Sequence, residues 1–194
     1  MPYVVTNVNG FTVSKDDLID NFRGEPGVFV GVTRGVEHNG TAKVSVRDLN
    51  GRETESYADV WRLRVRTVSE WVLAQDLSAI SNENVRDIMR LMDDGADHWM
   101  DPLDLWEASE DPERTAFTVL DRVSGRNVHL HHDEIRRAFL VFADPDQQMG
   151  HDRSAHYFQK AWEHRDADGI QSQYLDTVSG DLIAQFAFFG EIKY

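Results

Sequence analysis

The sequence predicts an α+β fold, and three observations predict it. The first third alternates apolar and polar residues around the hairpin dipeptides Asn39-Gly40 and Asn50-Gly51, the period-two text of half-buried strands joined by tight turns. The middle places Val85, Ile88, Met89 and Met92 at i, i+3, i+4 and i+7, the spacing of a helix with one buried stripe. Strand-like text then returns on both sides of Ser124-Gly125, followed by more amphipathic sequence.

Taken in order, Val4 and Val5 open a strand. Residues 14–22 read as a short helix with Ser14 as N-cap before Asp16 and Asp17. A turn at 23–27 leads into strands at 28–37, 41–48 and 52–57. At 60–65, Leu63 and Val65 alternate with Arg62, Arg64 and Arg66, which gives one more strand. This small, bent antiparallel sheet resembles an SH3-like barrel over residues 27–67, a likeness carried by turns and alternation.

Helices are expected at 68–75 and 82–92, the second ending at Asp93-Asp94-Gly95 with Gly95 as a C-cap. A shorter helix covers 102–108. Strands at 115–121 and 127–131 and apolar, strand-like text at 139–142 precede a polar loop at 143–152 and an amphipathic helix at 154–164. Residues 171–176 and 182–189 read as a closing hairpin turning at Ser179-Gly180, so a second antiparallel hairpin sheet with one helix ends the chain. No linker divides the 194 residues, and one compact domain is expected, with possible sub-units at 1–67, 68–112 and 113–194.

The chain echoes itself. Gly51-Arg52 is followed at fixed offsets by Tyr57, Asp59 and Arg62, and Gly125-Arg126 at the same offsets by His131, Asp133 and Arg136. Asp48 and Asp121 precede the two turns, and residues 175–181 repeat the second turn almost letter for letter. Either one hairpin chemistry recurs, because Asp before a turn and Gly within it suit turns, or a strand-turn-strand unit is present in two degenerate copies.

Composition bounds the function. With 41% hydrophobic residues and five Trp, the chain can bury a core. No stretch approaches the roughly 20 apolar residues of a membrane span, and residues 1–17 lack the pattern of a signal peptide. Without cysteine there is neither a disulfide framework nor thiolate chemistry. The expected location is the cytoplasm, or a particle assembled there. A net charge of −14 repels phosphates and argues against direct nucleic-acid binding. Arg outnumbers Lys by 16 to 4, as a GC-rich coding sequence would give, and Asp outnumbers Glu by 22 to 12, a bias shared with proteins of high-salt cytoplasm.

Chemistry-bearing motifs are few. His129 and His131, two apart on a strand, share a face and could hold a metal with Asp133, as a metal-dependent hydrolase would require. The stronger reading of the same pair is as the solvated partner of buried Val128 and Leu130. His156 and His164 lie two helical turns apart, about 12 Å, too far for one ion. No phosphate loop, dinucleotide fingerprint, His-Glu-x-x-His or nucleophile elbow occurs. No cofactor is expected.

Residues 93–113 hold nine carboxylates and no Lys or Arg, interleaved with Trp99, Met100, Leu103, Leu105 and Trp106. One reading is short helices whose tryptophans reach the core. The other is a docking surface formed by Asp93, Asp94, Asp97, Trp99, Asp101, Asp104, Trp106 and Glu107, in which Trp anchors and negative charge steers a protein partner with a basic surface. Nucleic-acid mimicry is a special case of it. The expected function is therefore a non-enzymatic interaction protein, accessory, inhibitory or assembling, compatible with a phage or mobile element. The alternatives are the hydrolase and a structural subunit of a homo-oligomer.

Overall fold

Period-two text and turn chemistry dictate the first half of the computed structural model, in which residues 2–35, 41–146, 152–190 and 192 are described. The expected turn Asn39-Gly40 and residues 147–151 of the polar loop lie outside them. The chain divides into two compact units, Met1–Glu70 and Trp71–Tyr194. Among the described residues, no helix is long and apolar enough to cross a membrane.

In Met1–Glu70 the strands are β1 (Tyr3–Asn7), β2 (Leu18–Asp20), β3 (Pro26–Arg34), β4 (Lys43–Arg47), β5 (Glu53–Tyr57) and β6 (Leu63–Thr67), with a 3₁₀ turn at Ala58–Trp61 before the last. β2, β3, β4 and β5 form an antiparallel meander, and β1 pairs antiparallel with β6, Tyr3 opposite Thr67 and Asn7 opposite Leu63. Two register shifts in β3, between Phe29 and Gly31 and between Val32 and Arg34, bend the meander. Alternation sets the core: Val44 and Val46 of β4 are buried with Val5, Phe29, Leu63 and Val65. The turn between β4 and β5 has Gly51 at φ 85°, and Asp48 Oδ1 accepts the N–H groups of Asn50 and Arg52.

Residues 14–22 are not a helix. The Asp16 N–H donates to the Phe29 carbonyl and the Phe29 N–H to the Asp17 carbonyl, while Asp17 Oδ2 accepts the Ser14 N–H. Pairing with β3 thus satisfies the backbone that a helix would have satisfied internally, and it buries Ile19 while Leu18 and Phe22 stay exposed.

Trp71–Tyr194 contains most of the helices. α1 (Glu70–Ala74) leads through a 3₁₀ turn at Leu77–Ala79 to α2 (Asn82–Gly95), then β7 (Met100–Pro102), α3 (Leu105–Glu110), β8 (Ala116–Asp121), β9 (Arg126–His131), α4 (His132–Ala143), α5 (Asp152–Glu163), a 3₁₀ turn at Ser172–Tyr174, and α6 (Thr177–Phe189). β7, β8 and β9 form an antiparallel sheet. A capping box between Ser81 and Asn84 starts α2, and Val85, Ile88, Met89 and Met92 are fully buried along its stripe.

Three expectations for this unit are corrected. The closing hairpin at 171–176 and 182–189 is instead the helix α6, N-capped by Asp176, which accepts both the N–H and the hydroxyl of Ser179. The text at 139–142 lies inside α4, started by a capping box between His131 and Glu134. Gly95 does not cap α2 but is its last helical residue, pressed on α6: a Cβ there would meet the Thr177 carbonyl oxygen at 2.0 Å. Gly180 mirrors it, since its Cβ would meet the Leu91 carbonyl oxygen at 2.3 Å. The two backbones touch because neither position has a side chain.

The charge is unequally shared. Met1–Glu70 holds 10 acidic and 9 basic residues, Trp71–Tyr194 24 and 11, giving −1 and −13.

Candidate functional site

The acidic segment 93–113 spans the last turn of α2, β7 and α3, so the fold sends its residues in different directions. Trp99 is buried at 1% exposure; its Nε1–H donates to Asp181 Oδ1 at 2.7 Å, and its ring packs on Phe188 and Phe189. It is a core residue and cannot meet a partner, which corrects its place in the expected docking surface. Trp106 is the opposite case. It sits on the outer face of α3 at 58% exposure, while Leu105 and Ala108 of the same helix are fully buried. Leu103, 50% exposed just before α3, adds an apolar neighbour that the sequence reading left out of the site.

Nor are the nine carboxylates all uncompensated, because arginines outside the acidic core of the segment return to it. Asp104 accepts the Thr118 N–H with Oδ1 and pairs through Oδ2 with Arg114. Asp101 pairs with Arg122 at 3.2 Å, and the same guanidinium donates to the Asp97 carbonyl. Glu110 pairs with Arg90 of α2 at 3.0 Å. Asp93, Asp94, Asp97 and Glu107 take part in no ion pair among the described residues. Asp93 is held above the usual carboxylate range, first by burial and then by repulsion from Asp94 and Asp97. Of the expected surface, Asp94, Asp97, Trp106 and Glu107 are exposed, Asp93 is half-buried, Asp101 and Asp104 are tied to the sheet, and Trp99 is inside.

The histidine set is spread over three tasks. His129 stands on the solvent face of β9, its Nδ1 2.9 Å from Thr118 Oγ1. His131 is the N-cap of α4 and accepts the Asp133 N–H, and Asp133 pairs with Arg136 at 2.8 Å. No group of three His, Cys, Asp or Glu able to hold a metal occurs among the described residues. His132, between His131 and Asp133 in sequence, is buried at 1% exposure with neither ring nitrogen hydrogen-bonded. Burial pushes its pKa down to about 4, and the charges of Arg136, His131 and Arg86 act in the same direction.

No family profile, curated protein or solved structure matches this chain. What the segment brings to its surface is one exposed indole, Trp106, and the exposed carboxylates of Asp94, Asp97 and Glu107, which form no ion pair among the described residues.

Proposed function

We propose that this is a non-enzymatic interaction protein of the cytoplasm, accessory, inhibitory or assembling in role. It docks a basic protein surface on the face carrying Asp94, Asp97, Trp106 and Glu107, with Leu103 at its side. The observation that carries this reading is the exposure of Trp106 on a helix otherwise anchored by buried Leu105 and Ala108. An indole left in water within a segment of unpaired carboxylates combines an interface anchor with a steering field. Arg90, Arg114 and Arg122 neutralise Glu110, Asp104 and Asp101, which favours local docking of a protein over imitation of a continuous phosphate backbone.

The test is biolayer interferometry of the full chain against immobilised Lys- and Arg-rich peptides and basic proteins. A binding surface is expected to select some of these. The triple variant Asp94→Asn, Asp97→Asn, Glu107→Gln should slow association at least about tenfold at low salt, and Trp106→Ala should speed dissociation. Unchanged far-ultraviolet circular dichroism would show both variants folded. Equal binding by parent and variants refutes the assignment.

A further inference from the structure

The unit Met1–Glu70 carries a cleft of about 380 Å³ between the turn after β1, strand β2 and the junction of the 3₁₀ turn with β6. That volume is at the small end of ligand sites, which run from about 300 to 1,000 Å³. Asp20 and Arg62 both line it, and among the described residues neither side chain pairs with the other or with anything else. Arg62 is held at φ 56°, ψ 34°, closing the 3₁₀ turn in the left-handed conformation. Glycine or asparagine is the ordinary choice there, so an arginine occupies a position that backbone energetics alone would not give it.

Trp61 forms a wall of the cleft. Its ring rests over Gly27, whose absent Cβ leaves the space it fills, since a Cβ there would come within 2.7 Å of the ring. The Trp61 Nε1–H is buried without a hydrogen-bond partner. Leu18, 68% exposed, stands at the lip. The residues lining the cleft therefore include an unpaired cation, an unpaired anion, an aromatic ring and an aliphatic side chain. A ligand with only a negative charge meets Asp17 and Asp20, and one with only a positive charge meets Arg62.

We propose that this cleft binds a small zwitterion, an amino acid or dipeptide with an apolar side chain, its carboxylate on Arg62, its ammonium on Asp20 and its side chain between Leu18 and the Trp61 ring. This is separate from the acidic face and stands or falls without it. The experiment is isothermal titration of the full chain with leucine and with glycyl-phenylalanine, beside N-acetyl-leucine and leucinamide, each of which keeps one of the two charges. The zwitterions are expected to bind at least about tenfold more tightly than either single-charge analogue. Arg62→Gly and Arg62→Asn, both suited to the left-handed backbone, should melt no lower than the parent and lose this binding, as should Asp20→Asn. The proposal is overturned if neither zwitterion binds at millimolar concentration, if the analogues bind equally well, or if the Arg62 variants retain the parent's affinity.

Discussion

Asp104 joins α3 to the sheet by one carboxylate, giving an oxygen to the Thr118 N–H and another to Arg114. Alanine there strips a partner from a backbone donor and a guanidinium together, so Asp104→Ala is expected to lose about 1–3 kcal/mol in urea unfolding. Asp101→Asn, whose pair with Arg122 is about half exposed on both sides, should stay within about 1 kcal/mol of the parent. Equal midpoints for the two variants would place Asp104 on the surface. Trp99 and Trp106 show where residue-level reading stops. Both lie in the same acidic text, and what separates them is Asp181, 82 positions from Trp99, a contact no local pattern announces. His132 supplies a pH signature. Its neutral ring is favoured in the folded state, with a pKa of about 4, while the unfolded chain takes up the proton near 6.5. Protonation thus favours unfolding. The stability is complete above pH 6.5 and is lost as pH falls toward 4, by roughly 3 kcal/mol over that window. Arg136, His131 and Arg86 oppose the charged ring and Asp133 favours it. Denaturant midpoints across pH 7 to 4 should fall less steeply in His132→Leu than in the parent; parallel slopes would mean that the ring already protonates freely in the folded protein.

Among the elements, α2 and α6 make the most instructive pair, because the same physics made one legible and hid the other. α2 has a polar face, so its apolar stripe shows the 3.6-residue period plainly. α6 is buried on every side from Leu182 to Phe188, and a helix apolar all round has no period to read; its text is that of a buried strand. Ser179-Gly180 then looked like a turn, although Asp176 three positions before Ser179 was the available sign of an N-cap. α4 is hidden likewise, and its local sign is the capping pair His131 and Glu134. The echo holds only in part, since the first copy runs on into strand β6 and the second into helix α4. In both copies a hairpin strand ends on the N-cap of a helical turn, Tyr57 before Ala58–Trp61 and His131 before α4, although one turn stops at Arg62 and the other continues for 12 residues. The acidic text was legible as a segment, but its division into buried, paired and free groups depends on Arg90, Arg114 and Arg122 arriving from α2 and around β8. The glycine contact of α2 with α6 sets a test at this scale. Alanine raises helix propensity by up to about 1 kcal/mol, yet at Gly95 or Gly180 its methyl group meets backbone, which cannot step aside. Gly95→Ala and Gly180→Ala are each expected to destabilise by about 1–3 kcal/mol net, and a gain in melting temperature for either would show that the helices can separate freely.

For the whole molecule, the segregation of charge matters more than its total. The acidic surplus is not spread evenly, because Met1–Glu70 stands at 10 acidic to 9 basic residues. Repulsion is therefore a burden of Trp71–Tyr194. Raising NaCl from 0.1 to 1 M shortens the Debye length from about 10 to 3 Å and should slow amide exchange in Trp71–Tyr194 while leaving Met1–Glu70 nearly unchanged; a uniform response of both units would contradict the assignment. The same segregation governs how copies of the chain meet in concentrated solution. Two units of charge −13 hold each other off, whereas two of charge −1 do not, and protein surfaces near neutrality are the ones that cohere. The near-neutral unit also carries Phe11, Leu18, Phe22 and Leu49 in contact with water. Any self-association is therefore expected to run through Met1–Glu70, with the charge of Trp71–Tyr194 opposing its growth into a precipitate.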